Sequence, residues 1–278
     1  MKISDIVAMK KNHQKIVMLT AYDYCFSKIF DSTNVDIILV GDSASTVMMG
    51  YSTTRKIGMK EMMMFCKSVV NGVSRALIVA DMPFRSYQIS RTKAISNATK
   101  FVKCGCDAVK IEGGMEVAGI VKNIVKNGIP VMGHIGLKPQ TTTLFDGYKI
   151  QGATADQGMK LIKDAQSLEE AGAFSLVTEK VTQEVASLIS RTVKIPVIGI
   201  GSGAEVDGQV LVSYDILGIF NDYMPRFIKQ YANLTEQIRN AILQYNSDVR
   251  AGLFPSNEHS YHLSNQEERE IHKLLQDK

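Results

Sequence analysis

Short runs of β-branched and other apolar residues recur along this chain, and four of them run out on an acid. VDIILVG precedes Asp42, ALIVA precedes Asp81, DAVKI precedes Glu112 and FSLVT precedes Glu179. These acids stand 39, 31 and 67 residues apart, which is one, one and two lengths of a strand-helix repeat. The skipped interval is filled by IPVMG, a fifth run, ending on His134.

The pattern predicts strands at Ile16 to Thr20, Ile37 to Val40, Ala76 to Ala80, Ala108 to Ile111, Val131 to Gly133, Phe174 to Thr178 and Val197 to Ile200, with a weaker eighth around Ile216 to Ile219. Apolar character on both faces is what a parallel sheet covered by helices requires. Between the strands, apolar residues recur with helical spacing. Met59, Met62, Met63, Cys66, Val69 and Val70 form one stripe, and Ala94, Ile95, Ala98, Phe101 and Val102 form another behind a Ser90 cap. Further stripes run from Val117 to Val125, from Leu161 to Leu168, and from Val185 to Ile189 behind a candidate cap at Thr182.

Strict alternation fits a closed barrel or an open doubly wound sheet. An open sheet gathers its site at one switch point, whereas polar residues here end at least five strands, so the expected fold class is α/β, a (β/α)8 barrel. Residues 1–263 are expected to form this single barrel with a helical extension from Leu234 to Tyr245. Residues 264–278 are expected to form a charged terminal helix, opened by a capping box of Ser264 and Glu267.

Composition narrows the partners. The net charge of +4 over 278 residues is spread along the chain rather than gathered in a basic arm, which argues against nucleic acid and anionic lipid. No apolar run approaches a membrane span, and the N-terminus lacks the apolar core of a secretory signal. Small molecules are the expected partners. The cysteines at 25, 66, 104 and 106 form no CxxC pair and fit buried or inert thiols in a reducing cytoplasm.

Asp42, Asp81 and Glu112 offer hard oxygen ligands from three neighbouring strand ends, a partial coordination sphere for Mg²⁺ that leaves positions for an α-keto acid and water. The alternative is that each caps a helix N-terminus. Lys110 shares a strand face with Glu112; it either meets a substrate carboxylate or enolate, or forms an internal ion pair. Glu179, two units further round, is a candidate base for a proton beside a carbonyl, or else a surface glutamate. His134 reads first as a satisfied structural histidine. The glycines of IGIGSG at Ile198 to Gly203 lack GxGxxG spacing and are read as a tight loop.

Together, TAYD (20–23), VGDS (40–43), ADMPF (80–84), VKIEGG (109–114), GHIGLKPQ (133–140), GYKIQG (147–152), IPVIGIGSG (195–203), DGQVLV (207–212) and EHSYH (258–262) resemble the ketopantoate hydroxymethyltransferase family, in family order over nearly the whole chain. The resemblance implies a Mg²⁺-dependent barrel of the phosphoenolpyruvate/pyruvate-binding type. It would move a hydroxymethyl unit from 5,10-methylenetetrahydrofolate to 3-methyl-2-oxobutanoate, giving 2-dehydropantoate for pantothenate biosynthesis. By motif position it assigns the metal to Asp42, Asp81 and Glu112. It gives substrate contacts to Asp42, Ser43, Asp81 and Lys110, and proton acceptance to Glu179. It also implies a cytoplasmic homo-oligomer, commonly a decamer.

Four positions depart from the family pattern: Met49, Cys66, Lys138 and Tyr214. None is a proposed ligand or base. A competing enzyme class is a Mg²⁺-dependent oxo-acid C–C lyase of the isocitrate lyase-like group, which usually offers a reactive loop cysteine. A retired barrel that only binds is the non-catalytic alternative.

Overall fold

Period-two burial along eight strands divides the apolar residues into two cores and aims the polar strand ends at one place. A computed structural model describes residues 1–142, 149–220 and 225–276. The strands are β1 (Ile16–Thr20), β2 (Ile37–Val40), β3 (Leu77–Asp81), β4 (Ala108–Glu112), β5 (Val131–Gly136), β6 (Ser175–Glu179), β7 (Val197–Ile200) and β8 (Gly208–Leu211). They pair in sequence order, all parallel, and β8 returns to β1 to close the barrel.

One set of side chains fills the lumen: Ile16 and Met18 of β1, Ile37 and Leu39 of β2, Leu77 and Val79 of β3, and partners from the other strands. The alternate set, including Ile38, Val40, Ile78, Ala80, Val109 and Ile111, packs outward under the helices. Successive side chains on a strand face opposite ways. Asp81 therefore continues the inward row of Leu77 and Val79, Lys110 and Glu112 continue Ala108, His134 continues Met132, and Glu179 continues Val177.

The helices are α1 (Ile3–Lys11), α2 (Tyr24–Asp31), α3 (Ala44–Val47), α4 (Met59–Gly72), α5 (Arg91–Cys104), α6 (Met115–Lys126), α7 (Ala155–Glu170), α8 (Gln183–Thr192), α9 (Ser213–Ile216), α10 (Leu234–Arg250) and α11 (Asn265–Gln276). The helical stripes read from the sequence fall on α4 to α8. The Ser90 hydroxyl caps α5 by accepting from the Lys93 amide. Thr182 does not cap α8; its hydroxyl donates to the Gly152 carbonyl instead.

The eighth strand corrects the expectation of Ile216 to Ile219, a stretch in which α9 ends and Gly218 turns the chain. Gly208 lies so close to β1 that a Cβ there would stand 2.4 Å from the Ile16 carbonyl oxygen. Closure thus needs a glycine where apolar patterning favours a bulky residue. At the opposite end of the barrel from the acids, α1 was not anticipated. Its Ile6 is fully buried against the lumen core, with Met1, Ile3 and Met9 around it, a burial worth roughly 1.5–3 kcal/mol for Ile6. Lys10 fastens it, donating to the carbonyls of Ser190 and Ile195 and pairing with Asp207 at 2.8 Å.

Asp31 at the end of α2 gives a test of the acid response. Burial alone would raise its pKa, but the amides of Ala76, Ser74 and Arg75 outweigh that and hold it below the usual 3.8. Its contribution is complete above the unfolded-state pKa and is lost as pH falls through the lowered folded value. Urea midpoints between pH 5 and pH 3 should fall more steeply for the wild type than for Asp31→Asn, which cannot titrate. Parallel slopes would remove Asp31 from the acid response.

Contacts group the chain into two units, Met1–Gln230 and Tyr231–Lys278. In the second unit, the Phe254 ring packs on Tyr245 and His259 at centroid distances of 5.7 and 5.1 Å. The Ser264 hydroxyl accepts from the Glu267 amide ahead of α11, the first half of the expected capping box. No helix among the described residues is long and apolar enough to cross a membrane.

Candidate active site

The C-terminal ends of β2 to β6 bring Asp42, Asp81, Lys110, Glu112, His134 and Glu179 to one mouth of the barrel. All but Glu179 are buried. Asp81 receives the Asp42 amide on Oδ2 at 3.0 Å and the Lys110 ammonium on Oδ1 at 2.6 Å. The Asp42 carboxylate accepts from the Gln140 side-chain amide at 2.8 Å, and Glu112 accepts from the Gln140 backbone amide at 3.1 Å. Tyr87 completes this layer by donating to the Glu112 carbonyl or to Gln140 Oε1, each at 3.0 Å.

His134 connects the two sides of the site. Its Nδ1 lies 3.2 Å from Lys110 Nζ and 3.5 Å from Glu112 Oε1, while Nε2 lies 3.1 Å from Glu179 Oε2. The Nε2 contact is close but poorly aligned as a hydrogen bond. Lys110 donates to a bare Nδ1, whereas Glu112 accepts from a protonated one. Burial and Lys110 both oppose the charged imidazolium, yet Glu112 and Glu179 outweigh them and raise its pKa to about 9.

Gly136, two residues beyond His134, has φ of +95° and would place a Cβ 2.3 Å from the Glu179 carbonyl oxygen. A side chain there would push β5 and β6 apart where His134 meets Glu179. Ser43, just past β2, shares a 2.7 Å hydrogen bond with the buried Tyr22 hydroxyl. The IGIGSG loop is held by Ser202, whose hydroxyl donates to the Thr178 carbonyl at 2.7 Å, in keeping with a tight structural loop.

The charge balance is uneven. Burial, then the charges of Asp81 and Glu112, push the Asp42 pKa well above the carboxylate range. Burial works against the charged form of Lys110, but Asp81, Glu112 and Asp42 together hold it above its usual value. Burial also disfavours ionised Glu112, and His134 and Lys110 more than compensate. Three buried carboxylates thus compete for one lysine and one histidine, which leaves room for a further positive charge.

Hard oxygen donors and that surplus of negative charge fit a divalent cation of the Mg²⁺ type. Among the described residues, no group of three or more His, Cys, Asp or Glu side chains is already disposed to hold a metal ion.

Every site residue expected from the sequence lies at this mouth. The same mouth also holds Tyr22, Tyr87 and Gln140, which the sequence did not single out, and His134, read there first as a structural histidine. Gln140 had a signal, as the last residue of GHIGLKPQ; Tyr87 had none. The first two residues of GYKIQG, Gly147 and Tyr148, lie outside the described residues.

The four departures sit around the acids rather than among them. Lys138 pairs with Glu116 at 2.7 Å, Cys66 and Met49 pack in the outer core, and the Tyr214 ring stands 5.7 Å from both Tyr22 and Phe26. The four free cysteines lie on α2, on α4, and at the α5 end before β4, so none follows a strand end as the lyase reading needs.

Solved structures share the fold at low identity. A putative phosphonomutase from Burkholderia cenocepacia J2315 matches with a TM-score of 0.65 at 11% identity, covering 87% of this chain and 98% of its own. A 2,3-dimethylmalate lyase of the PEP mutase/isocitrate lyase superfamily matches with a TM-score of 0.58 at 11% identity, covering 98% of each chain.

Sequence relatives are much nearer. Proteins named 3-methyl-2-oxobutanoate hydroxymethyltransferase include one from Nitrosopumilus maritimus, 48% identical over 98% of both chains. Another, from Chlorobaculum tepidum, is 49% identical over 91% of this chain and 93% of its own. The family model described as ketopantoate hydroxymethyltransferase matches residues 1–257. On that match and those identities, this chain belongs to the ketopantoate hydroxymethyltransferase family.

Proposed function

We propose that this chain transfers a hydroxymethyl unit from 5,10-methylenetetrahydrofolate to 3-methyl-2-oxobutanoate, giving 2-dehydropantoate, the first committed step of pantothenate biosynthesis. The observation that carries this reading is a buried set of three carboxylates and a lysine facing Glu179 across one barrel mouth. Asp42, Asp81 and Glu112 would hold Mg²⁺, whose role is to polarise the oxo acid as a Lewis acid.

The chain's own groups supply the rest. Lys110, kept charged by its carboxylate neighbours, offsets negative charge that develops on the oxo acid's oxygen. Ser43, oriented by Tyr22, gives the oxo acid a hydroxyl partner. Glu179 takes the proton from C3, with His134 Nε2 3.1 Å from its carboxylate. Carbon C3 then bonds to the methylene carbon of the donor as that carbon's bond to one folate nitrogen breaks, and a single water supplies the hydroxyl oxygen as the bond to the second nitrogen breaks, releasing tetrahydrofolate. The buried walls exclude bulk water that would consume that electrophile.

Four free thiols are compatible with a reducing cytoplasm. The resemblance also implies a homo-oligomer, commonly a decamer. The test is product formation: 2-dehydropantoate should appear only when Mg²⁺, the oxo acid and the folate donor are all present. Turnover of a methylisocitrate-like substrate with no folate-dependent product would replace this reading with the lyase.

A further inference from the structure

Gln140, in the loop that leaves β5, is 1% exposed, and both its side-chain donors and its side-chain acceptor are engaged. Nε2 donates to Asp42 Oδ2 at 2.8 Å and to the Met82 carbonyl at 3.0 Å, while Oε1 accepts from the Tyr87 hydroxyl at 3.0 Å. The backbone amide of the same residue donates to Glu112 Oε2 at 3.1 Å. One residue thus ties the ends of β2, β3 and β4 to the loop after β5.

The direction of this side-chain amide is set by its partners. A backbone carbonyl can only accept, so turning the amide over would press Oε1 against the Met82 carbonyl oxygen and Asp42 Oδ2. The buried Tyr87 hydroxyl supplies the matching donor on the other side. Asp42 Oδ2 is thereby occupied, and no described residue donates to Oδ1. On Glu112, the Gln140 backbone amide holds Oε2, and Oε1 lies 3.5 Å from His134 Nδ1.

Buried carboxylates gathered at one mouth repel each other, so they need a partner that holds them in place for a cation. A lysine or arginine in this position would cancel the negative charge that the cation requires. A neutral amide orients the acids and leaves that charge intact. We propose that Gln140 is the positioning residue of the cation site, holding Asp42 through its side chain and Glu112 through its backbone, with Tyr87 setting the direction of the side-chain amide. The inference rests on the transferase reading above and adds two residues that touch neither the cation nor the oxo acid.

The test is calorimetric titration of Mg²⁺ into the full chain at saturating 3-methyl-2-oxobutanoate, on variants that urea unfolding shows to be folded. Gln140→Met keeps the length of the side chain and the backbone amide to Glu112 but offers Asp42 no donor. Its Mg²⁺ affinity should fall about 10–100-fold, the usual effect of losing a group that orients a metal ligand. The Mg²⁺ concentration for half-maximal C3-proton exchange should rise by the same factor. Tyr87→Phe should show a smaller fall, and the double variant should bind no more weakly than Gln140→Met, because Tyr87 acts on the cation through that amide. Wild-type affinity in folded Gln140→Met would overturn the proposal, since a purely structural role moves the urea midpoint alone. Unchanged affinity in Tyr87→Phe would overturn it as well, whether or not Gln140→Met folds. A wild type that binds Mg²⁺ and the oxo acid without exchanging the C3 proton would reject the transferase reading, whereas the affinities of the variants decide the positioning role independently.

Discussion

Glu179→Gln should lower Mg²⁺-dependent exchange of the C3 proton of 3-methyl-2-oxobutanoate by about 10²–10⁴-fold, the usual contribution of a positioned general base. Oxo-acid binding should change little. The substitution keeps the shape of the side chain and its place beside His134 Nε2, 3.1 Å away in the wild type, but removes the atom that accepts the proton. Exchange kinetics by proton NMR in deuterium oxide, with binding measured on the same samples, separate the two effects. Equal exchange rates in the two proteins would reject Glu179 as the base, and a parallel loss of binding would make it a substrate contact instead.

The second large effect is expected for Asp81→Ala. Asp81 holds the Lys110 ammonium at 2.6 Å and the Asp42 amide at 3.0 Å, so its loss acts on both metal binding and folding. Altering groups that merely support metal ligands commonly costs about 10–100-fold in affinity, and removal of a ligand should exceed that for Mg²⁺-dependent oxo-acid binding. Leaving Lys110 without its partner should also destabilise the fold by about 3–5 kcal/mol, read from urea unfolding. A variant that retains Mg²⁺-dependent binding would place the cation elsewhere. Asp81→Asn keeps the volume and one acceptor, so it should lose metal-dependent binding with a smaller loss of stability.

Much of this site could be read from the sequence because the chemistry sits where a strong pattern stops. β2, β3, β4 and β6 are apolar on both faces, so the acid ending each run is conspicuous, and period two then sends Asp81, Lys110, Glu112 and Glu179 inward. His134 carried the same positional signal. Its importance comes from lying between Lys110, Glu112 and Glu179, which are 24, 22 and 45 residues away in sequence, and no local pattern encodes that meeting. Tyr87 was hidden for the same reason.

The misreading of β8 has a different origin. Barrel closure brings Gly208 against the β1 backbone, and Gln209 is exposed, so only two of the strand's four residues, Val210 and Leu211, are apolar. A nearby Ile-Leu-Gly-Ile run was the louder signal. α1 was overlooked because only Ile3, Ile6 and Met9 mark its inner face among lysines, although that spacing does fit one side of a helix.

The most direct test is hydrogen exchange at C3 of 3-methyl-2-oxobutanoate by the wild-type chain, without folate, with Mg²⁺ present or removed by chelation. Rapid exchange that depends on the cation is the predicted result. A C3 proton left untouched in the presence of Mg²⁺ and bound oxo acid would contradict it.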